Sequence, residues 1–182
     1  MNKHTGKLLI LGGFTLNALF CATTFFTYLF KIQFPNIILL ALKAINFLSL
    51  PLIILGFGII FLADRQFIDL LIAFMFVLCL LSRILWGITD TNAIVSMNNA
   101  VGVLVLMINA LYAIAYLLWA IKLFKRLPLG GIIILASIAM SLFLPSIIVR
   151  FFAPDASTLP QILVNILSAS SLAIAAFLDY QN

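Results

Sequence analysis

The sequence predicts an all-α polytopic membrane protein with six transmembrane helices, and two observations support this class. Hydrophobic residues make up 65% of the 182 residues and charged residues only 8%, whereas a soluble domain is about 45–50% apolar and about 25% charged. The apolar residues also fall into six runs, and a helix needs about 20 such residues to cross a bilayer. Because lipid offers no water to backbone polar groups, each run is expected to be helical. The connections are too short for a soluble domain, so 1–182 is predicted to be a single membrane domain.

Proline and polar residues mark the ends of the spans. Pro35 and Pro128 stand where spans two and five begin, and a helix tolerates proline at that position. The polar residues 64–66 separate span two from span three. The predicted spans are Leu8–Phe30, Ile37–Ala63, Phe67–Ile88, Ala93–Phe124, Leu129–Phe152 and Leu159–Leu178. The first run follows a basic start, as in a signal peptide, but it is too long for one, so we expect a retained span.

The distribution of Lys and Arg predicts that both termini face the cytoplasm. Cytoplasmic loops of membrane proteins carry an excess of these residues. With the N-terminus inside, Lys31 and Arg150 lie outside. Six others lie inside: Lys3, Lys7, Arg65, Lys122, Lys125 and Arg126. We therefore expect a multi-pass protein of the plasma membrane, in a bacterium the inner membrane. The net charge of +5 then belongs to the cytoplasmic surface, and nucleic acid is not an expected partner.

A shift of 94 residues aligns part of span two with part of span five. Ten of the 29 residues in 29–57 are identical to their counterparts in 123–151, and the identities include one lysine and the prolines Pro51 and Pro145. Segments rich in Leu and Ile often match by chance, so the identical lysine and proline are the main evidence for a repeat. Outside this window the alignment fades.

Two interpretations of this match remain open. In the first it is a coincidence of composition, and Pro51 and Pro145 are static kinks, because a proline inside a helix removes a backbone hydrogen bond. In the second, residues 1–91 and 92–182 are inverted three-helix repeats, an arrangement that recurs in transporters. The two prolines would then be paired hinges that gate a site between the halves.

Two basic residues lie inside spans, where a charge is costly and usually marks a function. Lys43 in span two and Arg83 in span three are each about two turns from the outer end of their helix. Asp90 lies seven residues after Arg83, on the same helix face, where it can neutralise the guanidinium. These three residues are therefore candidates for a binding site in the outer half of the membrane.

Uncharged polar residues occur at a comparable depth. The set comprises Asn46, Asn98, Asn99, Thr24, Thr27, Ser141 and Asn165. If their helix faces converge, they line an outward-facing cavity with Lys43 and Arg83, and its positive field favours an anion, a lipid phosphate or a solute with a carboxylate. In the alternative, the two basic side chains extend to the headgroups and the amides bond one helix to the next.

Other features favour structural roles. Tyr112, Tyr116 and Trp119 form a stripe on span four that is typical of a packed or interfacial face. Asp69, near the inner end of span three, is expected at the membrane interface. The sequence contains no Glu, its one histidine is His4, and no metal-binding or catalytic motif occurs. No enzyme activity, cofactor or metal is therefore expected.

Functions from different classes remain open. The leading hypothesis is a small transporter or channel-like permease for a small anionic or zwitterionic solute. The rival is a non-catalytic subunit that anchors or oligomerises with a partner and presents the basic residues Lys122, Lys125 and Arg126 to a cytoplasmic protein. A lesser alternative is lipid binding from the outer leaflet. A homo-oligomer or a partner membrane subunit fits each hypothesis, because six helices with short loops leave much lateral surface.

Overall fold

Helices account for nearly all of the described chain. The structure is a computed structural model that describes residues 2–88, 98–151 and 158–182; for residue 83 and for 85–106 and 145–160 it describes the backbone at most. The described residues form six helices: α1 (Lys3–Leu29), α2 (Asn36–Asp64), α3 (Phe67–Ile88), α4 (Asn98–Phe124), α5 (Pro128–Phe151) and α6 (Thr158–Gln181). The predicted all-α class is therefore confirmed. Within their described parts, α1, α2, α4 and α6 are long and apolar enough to cross a membrane, and α3 and α5 contribute shorter apolar stretches.

Local sequence explains several helix ends. α2 begins directly after Pro35, and α5 begins at Pro128, as these prolines predict. α2 ends at Asp64 because Arg65 adopts a left-handed conformation with φ of 54°. The Arg65 N–H donates to the Phe61 carbonyl at 2.8 Å, a bond that satisfies one of the last carbonyls of the helix.

The first helix begins earlier than predicted. It starts at Lys3 instead of Leu8, because the Asn2 side chain accepts the His4 N–H at 3.1 Å and caps the helix there. Lys7 is consequently part of α1 and not of a tail. The predicted start of span four lies outside the described residues.

The six helices form a closed ring. Each helix packs against the next one in the chain, and α6 packs against α1. The two chain termini meet: Lys7 in α1 donates to the Asp179 carbonyl in α6 at 2.7 Å, and the rings of His4 and Tyr180 lie 4.5 Å apart. We call this end, where α1, α3 and α5 begin and α2, α4 and α6 end, the terminal end. The opposite end is called the far end.

Small residues bring α1 and α2 into backbone contact. A Cβ atom on Gly56 would lie 2.6 Å from the Gly6 carbonyl oxygen and 2.5 Å from a side-chain carbon of Ile10. A Cβ atom on Gly13 would lie 2.6 Å from the Ser49 carbonyl oxygen. On each helix the two small residues are seven positions apart, which places them on one face. We call Gly6, Gly13, Ser49 and Gly56 the glycine seam.

The ring is apolar outside and partly polar inside. Large hydrophobic side chains face outward on every helix, for example Leu19, Leu55, Phe74, Ile114, Leu135 and Ile174. Charged and hydroxyl side chains are buried instead, namely Lys7, Ser49, Asp69, Ser137 and Asp179. Soluble bundles show the opposite distribution, with polar residues on the outer face.

Candidate functional site

Aromatic rings fill the centre of the bundle in the half nearer the terminal end. Phe14 of α1 stacks on Trp119 of α4, with ring centroids 4.8 Å apart and planes 1° from parallel. Phe57 of α2 and Phe76 of α3 stack at 6.0 Å beside them. None of the four side chains is more than 1% exposed. We call these four residues the aromatic layer, and it closes the middle of the ring on this side.

A polar cavity lies on the other side of the aromatic layer, towards the far end. Its volume is about 400 Å³. Tyr116 joins it to the layer, because its ring lies 6.2 Å from Phe14 and 5.7 Å from Phe76 while also lining the cavity. The polar residues that define the cavity are Asn17, Asn46, Asn109, Tyr112, Tyr116, Ser141, Gln161, Asn165 and Ser168. They come from all the helices except α3.

Hydroxyl groups from α5 and α6 form one wall of the polar cavity. The hydroxyls of Ser137 and Ser168 lie 2.7 Å apart, and the Ser141 hydroxyl donates to Ser168 Oγ at 2.9 Å. Near them, the side-chain amide of Gln161 donates to the side-chain oxygen Oδ1 of Asn165 at 3.0 Å. Gln161 and Asn165 are exposed, so the cavity is open to its surroundings at this point.

The cavity is chemically suited to recognising a small hydrogen-bonding solute. Its amides and hydroxyls both donate and accept hydrogen bonds, and its described lining carries no charged side chain. A volume of about 400 Å³ is at the small end of the range of ligand pockets, about 300–1,000 Å³. The tyrosines add aromatic faces, against which an apolar part of such a solute packs.

Comparison with known proteins gives no relative from which to read this site. No protein-family model matches the chain, and neither the curated proteins nor the solved structures yield a match.

The structure separates two of the predicted site residues. Asn46 lines the polar cavity. Lys43 is exposed and lines a different, mostly apolar depression of about 290 Å³, together with Thr24 and Thr27. Both threonine hydroxyls donate to carbonyls one turn earlier in α1. The two depressions meet at Phe20, which lines both.

Most of the other predicted site residues lie outside the described side chains. These are Arg83, Asp90, Asn98, Asn99 and Pro145. Pro51 is half-buried in α2, and the helix continues through it without interruption. The hinge function of the two prolines and the binding function of the other four residues stay predictions.

Several lining residues were not among the predicted site residues. Asn17 and Asn109 are isolated amides in the middle of α1 and α4, and an amide inside an apolar run is a signal that sequence analysis can use. Tyr112 and Tyr116, for which the stripe predicts a packed or interfacial face, line the cavity. Trp119 of the same stripe is fully buried, as expected for a packed face and not for an interfacial one.

Ion pairs join the helices at the terminal end. Arg126 donates to the Asp179 carboxylate, and Lys7 Nζ lies 3.4 Å from the same oxygen. Lys7 and Asp179 are buried, with 7% and 6% of their surface exposed. A third pair joins Lys3 to Asp64 and is more exposed. Asp179 falls one residue beyond the predicted end of span six, so the predicted spans do not include it.

A further ion pair involves Asp69. Its side chain is fully buried within the bundle, in the first turn of α3, and its predicted depth at the membrane interface stays a prediction. Lys122 of α4 donates to Asp69 Oδ1, and this countercharge allows a carboxylate to be buried. Asp69 Oδ2 has no hydrogen-bond partner in the part of the chain that the structure describes.

These pairs involve the residues predicted to face a cytoplasmic partner. Lys122 and Arg126 are bound to Asp69 and Asp179 of the same chain. Lys125 is exposed, and it forms no ion pair with any residue that the structure describes. A cytoplasmic partner at this segment stays a prediction.

Proposed function

We propose that this chain is an integral membrane protein whose six helices all cross the bilayer. Two features support the proposal: the outward-facing apolar side chains on every helix and the four helices long and apolar enough to span. Soluble monomers rarely expose large continuous apolar patches. The excess of Lys and Arg at the terminal end favours a cytoplasmic position for that end and for both termini. The polar cavity then lies on the outer side of the aromatic layer.

We further propose that the protein is a transporter or permease for a small polar solute. The observation that supports this proposal is the polar cavity of about 400 Å³, which is open where Gln161 and Asn165 are exposed and is closed on the terminal side by the aromatic layer. A transporter exposes its central site to one side of the membrane at a time. In this interpretation the structure corresponds to an outward-open form, and passage requires the aromatic layer and the ion pairs below it to separate.

The lining favours a neutral or zwitterionic solute. Amides and hydroxyls bind hydroxyl, amide and carboxylate groups without adding net charge. A preference for anions would require the positive charge of Arg83 to reach the same space. The size of the cavity corresponds to a solute such as an amino acid or a monosaccharide.

The inverted repeat remains part of this proposal. It is supported by the match between residues 29–57 and 123–151. The order of the ring does not add to this support: a two-fold axis in the membrane plane reverses the direction in which helices follow one another around a ring, whereas α1–α3 and α4–α6 follow one another in the same direction. Superposition of α1–α3 on α4–α6 tests it further: a common origin brings Pro51 onto Pro145.

Flux measurements test the transport function. The full chain is reconstituted in liposomes and offered glycerol, glucose, alanine and, as an anion, lactate. We expect at least one solute to enter faster than in protein-free liposomes. Asn46→Leu removes an amide from the cavity, and a hydrogen bond lost to a buried ligand group costs about 1–3 kcal/mol. We therefore expect uptake to fall about tenfold or more.

A matched variant controls for the substitution itself. Asn36→Leu makes the same change at the start of the same helix, where Asn36 is exposed and outside the cavity lining, so uptake should remain near the unsubstituted rate. Equal losses in both variants would contradict the assignment of the cavity as the solute site. If no solute enters and a membrane protein copurifies stably, the rival function as a non-catalytic subunit is favoured.

Cysteine labelling tests the orientation. In a chain without Cys21 and Cys79, a cysteine replaces Gln33 in the α1–α2 turn or Asn182 at the C-terminus, both of which are exposed. A membrane-impermeant maleimide should label Gln33→Cys in intact cells and Asn182→Cys only after permeabilisation. The reverse pattern would refute the cytoplasmic termini, and labelling at both positions would refute the membrane-spanning arrangement.

A further inference from the structure

A second depression, of about 260 Å³, lies at the terminal end. The start of α1, the turn between α2 and α3, and the end of α4 surround it. Four of its lining side chains are basic, Lys3, Lys122, Lys125 and Arg126, and one is acidic, Asp64. We call it the basic pocket. Its lining residues are all distinct from those of the polar cavity.

The carboxylates at this end do not neutralise the basic pocket. The acidic residues within reach are Asp64, Asp69 and Asp179, bound to Lys3, Lys122 and Arg126 respectively. Asp179 is shared, because Lys7 also binds it. Among the residues that the structure describes at this end, the five basic side chains of Lys3, Lys7, Lys122, Lys125 and Arg126 therefore share three carboxylates, and two positive charges remain unmatched. Lys125, exposed on the rim, is the clearest of these, since it forms no ion pair with any described residue.

We propose that the basic pocket binds a phosphate group. A phosphate carries one or two negative charges and several acceptor oxygens, which corresponds to the unmatched charge. The Arg126 guanidinium offers a planar pair of donors to such a group, and Lys125 and Lys3 offer mobile ammonium groups. Both Arg126 and Lys3 keep more than a third of their side-chain surface exposed, so their remaining donors are accessible to a ligand.

The position of the pocket favours the headgroup of an anionic phospholipid over a soluble phosphate. Ile121 lines the pocket and is 47% exposed, and Ile68 lies beside it, so an apolar surface adjoins the phosphate site. In the proposed orientation this end faces the cytoplasmic leaflet, where anionic lipids attract basic segments. A lipid bound there would bridge α1 to α4 and stabilise the terminal end. This inference does not depend on the transport function, because the two sites share no lining residue.

Lipid titration of the full chain in a neutral detergent tests the proposal. Native mass spectrometry measures the apparent dissociation constants of dioctanoyl phosphatidylglycerol and dioctanoyl phosphatidylcholine, and inorganic phosphate is added as a competitor. Phosphatidylglycerol should bind more tightly than phosphatidylcholine. Lys125→Gln should weaken phosphatidylglycerol binding about fivefold. Arg65→Gln should leave it unchanged, because Arg65 is exposed at the same end but does not line the pocket.

Each result has a defined meaning. If inorganic phosphate competes with the lipid and Lys125→Gln weakens that competition, a soluble phosphate is a ligand of the pocket. If the protein selects phosphatidylglycerol and inorganic phosphate does not compete, the ligand is the lipid headgroup. Both outcomes support the phosphate site. Equal effects of Lys125→Gln and Arg65→Gln would show only general surface attraction and would overturn the proposal. So would the absence of both lipid selectivity and phosphate competition. Solute uptake tests the transport function separately, since Lys125 is not part of the polar cavity.

Discussion

Gly56→Ala is expected to destabilise the protein by about 1–3 kcal/mol, the usual cost of forcing an extra carbon into a packed interface. The new methyl group would lie 2.6 Å from the Gly6 carbonyl oxygen and 3.0 Å from the Ile10 nitrogen. Backbone atoms cannot rotate away as a side chain can, so α1 and α2 must move apart along the glycine seam. Close approach of this kind is a principal source of attraction between helices in lipid. The free energy of unfolding can be measured in mixed micelles by circular dichroism.

The same substitution two residues later should have the opposite sign. A Cβ atom on Gly58 meets no other atom within 4 Å, and alanine is more favourable than glycine inside a helix by about 1 kcal/mol. Gly58→Ala should therefore stabilise the protein slightly. Gly13→Ala and Gly12→Ala form a second pair with the same contrast, because Gly13 faces Ser49 and Gly12 faces open space. Equal shifts within each pair would show that the seam does not constrain the helices.

The sequence predicts the helices well because composition and punctuation are local properties. Apolar runs of sufficient length must be helical in lipid, and the ends at Pro35, Pro128 and Asp64 follow from the restricted geometry of proline and the polar residues after Asp64. The start of α1 was misplaced because a helix cap depends on one side chain, that of Asn2. The meeting of the two termini at one end also follows from the sequence, because six helices joined by short turns alternate in direction.

The site was harder to predict because it depends on how each helix is rotated. A helix needs a clear polar stripe to indicate its inward face, and the few polar residues inside α2 do not all face the same space. Lys43 and Asn46 are three residues apart, about 60° around the helix, and that difference places them in separate depressions. Asp69 and Lys122 are 53 positions apart in the chain. Only the packing of α3 against α4 brings them together, so neither the pair nor the burial of Asp69 could be predicted locally.

Lys122→Met is expected to cost about 3–5 kcal/mol of stability, because removing one partner of a buried ion pair leaves the other charge uncompensated. Asp69 is fully buried, and its second oxygen has no partner among the described residues. Lys3→Met provides the control: it removes the same charge from a pair that is 38% and 21% exposed, and exposed pairs contribute about 0–1 kcal/mol.

The double variant distinguishes two contributions to the lost stability: the attraction between Lys122 and Asp69, and the cost of leaving the Asp69 charge buried without a partner. Asp69→Leu combined with Lys122→Met replaces both charges by apolar side chains, a change that is often neutral for a buried pair. Most of the stability lost in Lys122→Met should therefore return. Unfolding free energies of the two single variants and the double variant in mixed micelles give the coupling between the residues. If Lys122→Met costs no more than Lys3→Met, or if the double variant is as unstable as Lys122→Met alone, Asp69 does not depend on Lys122 for its countercharge.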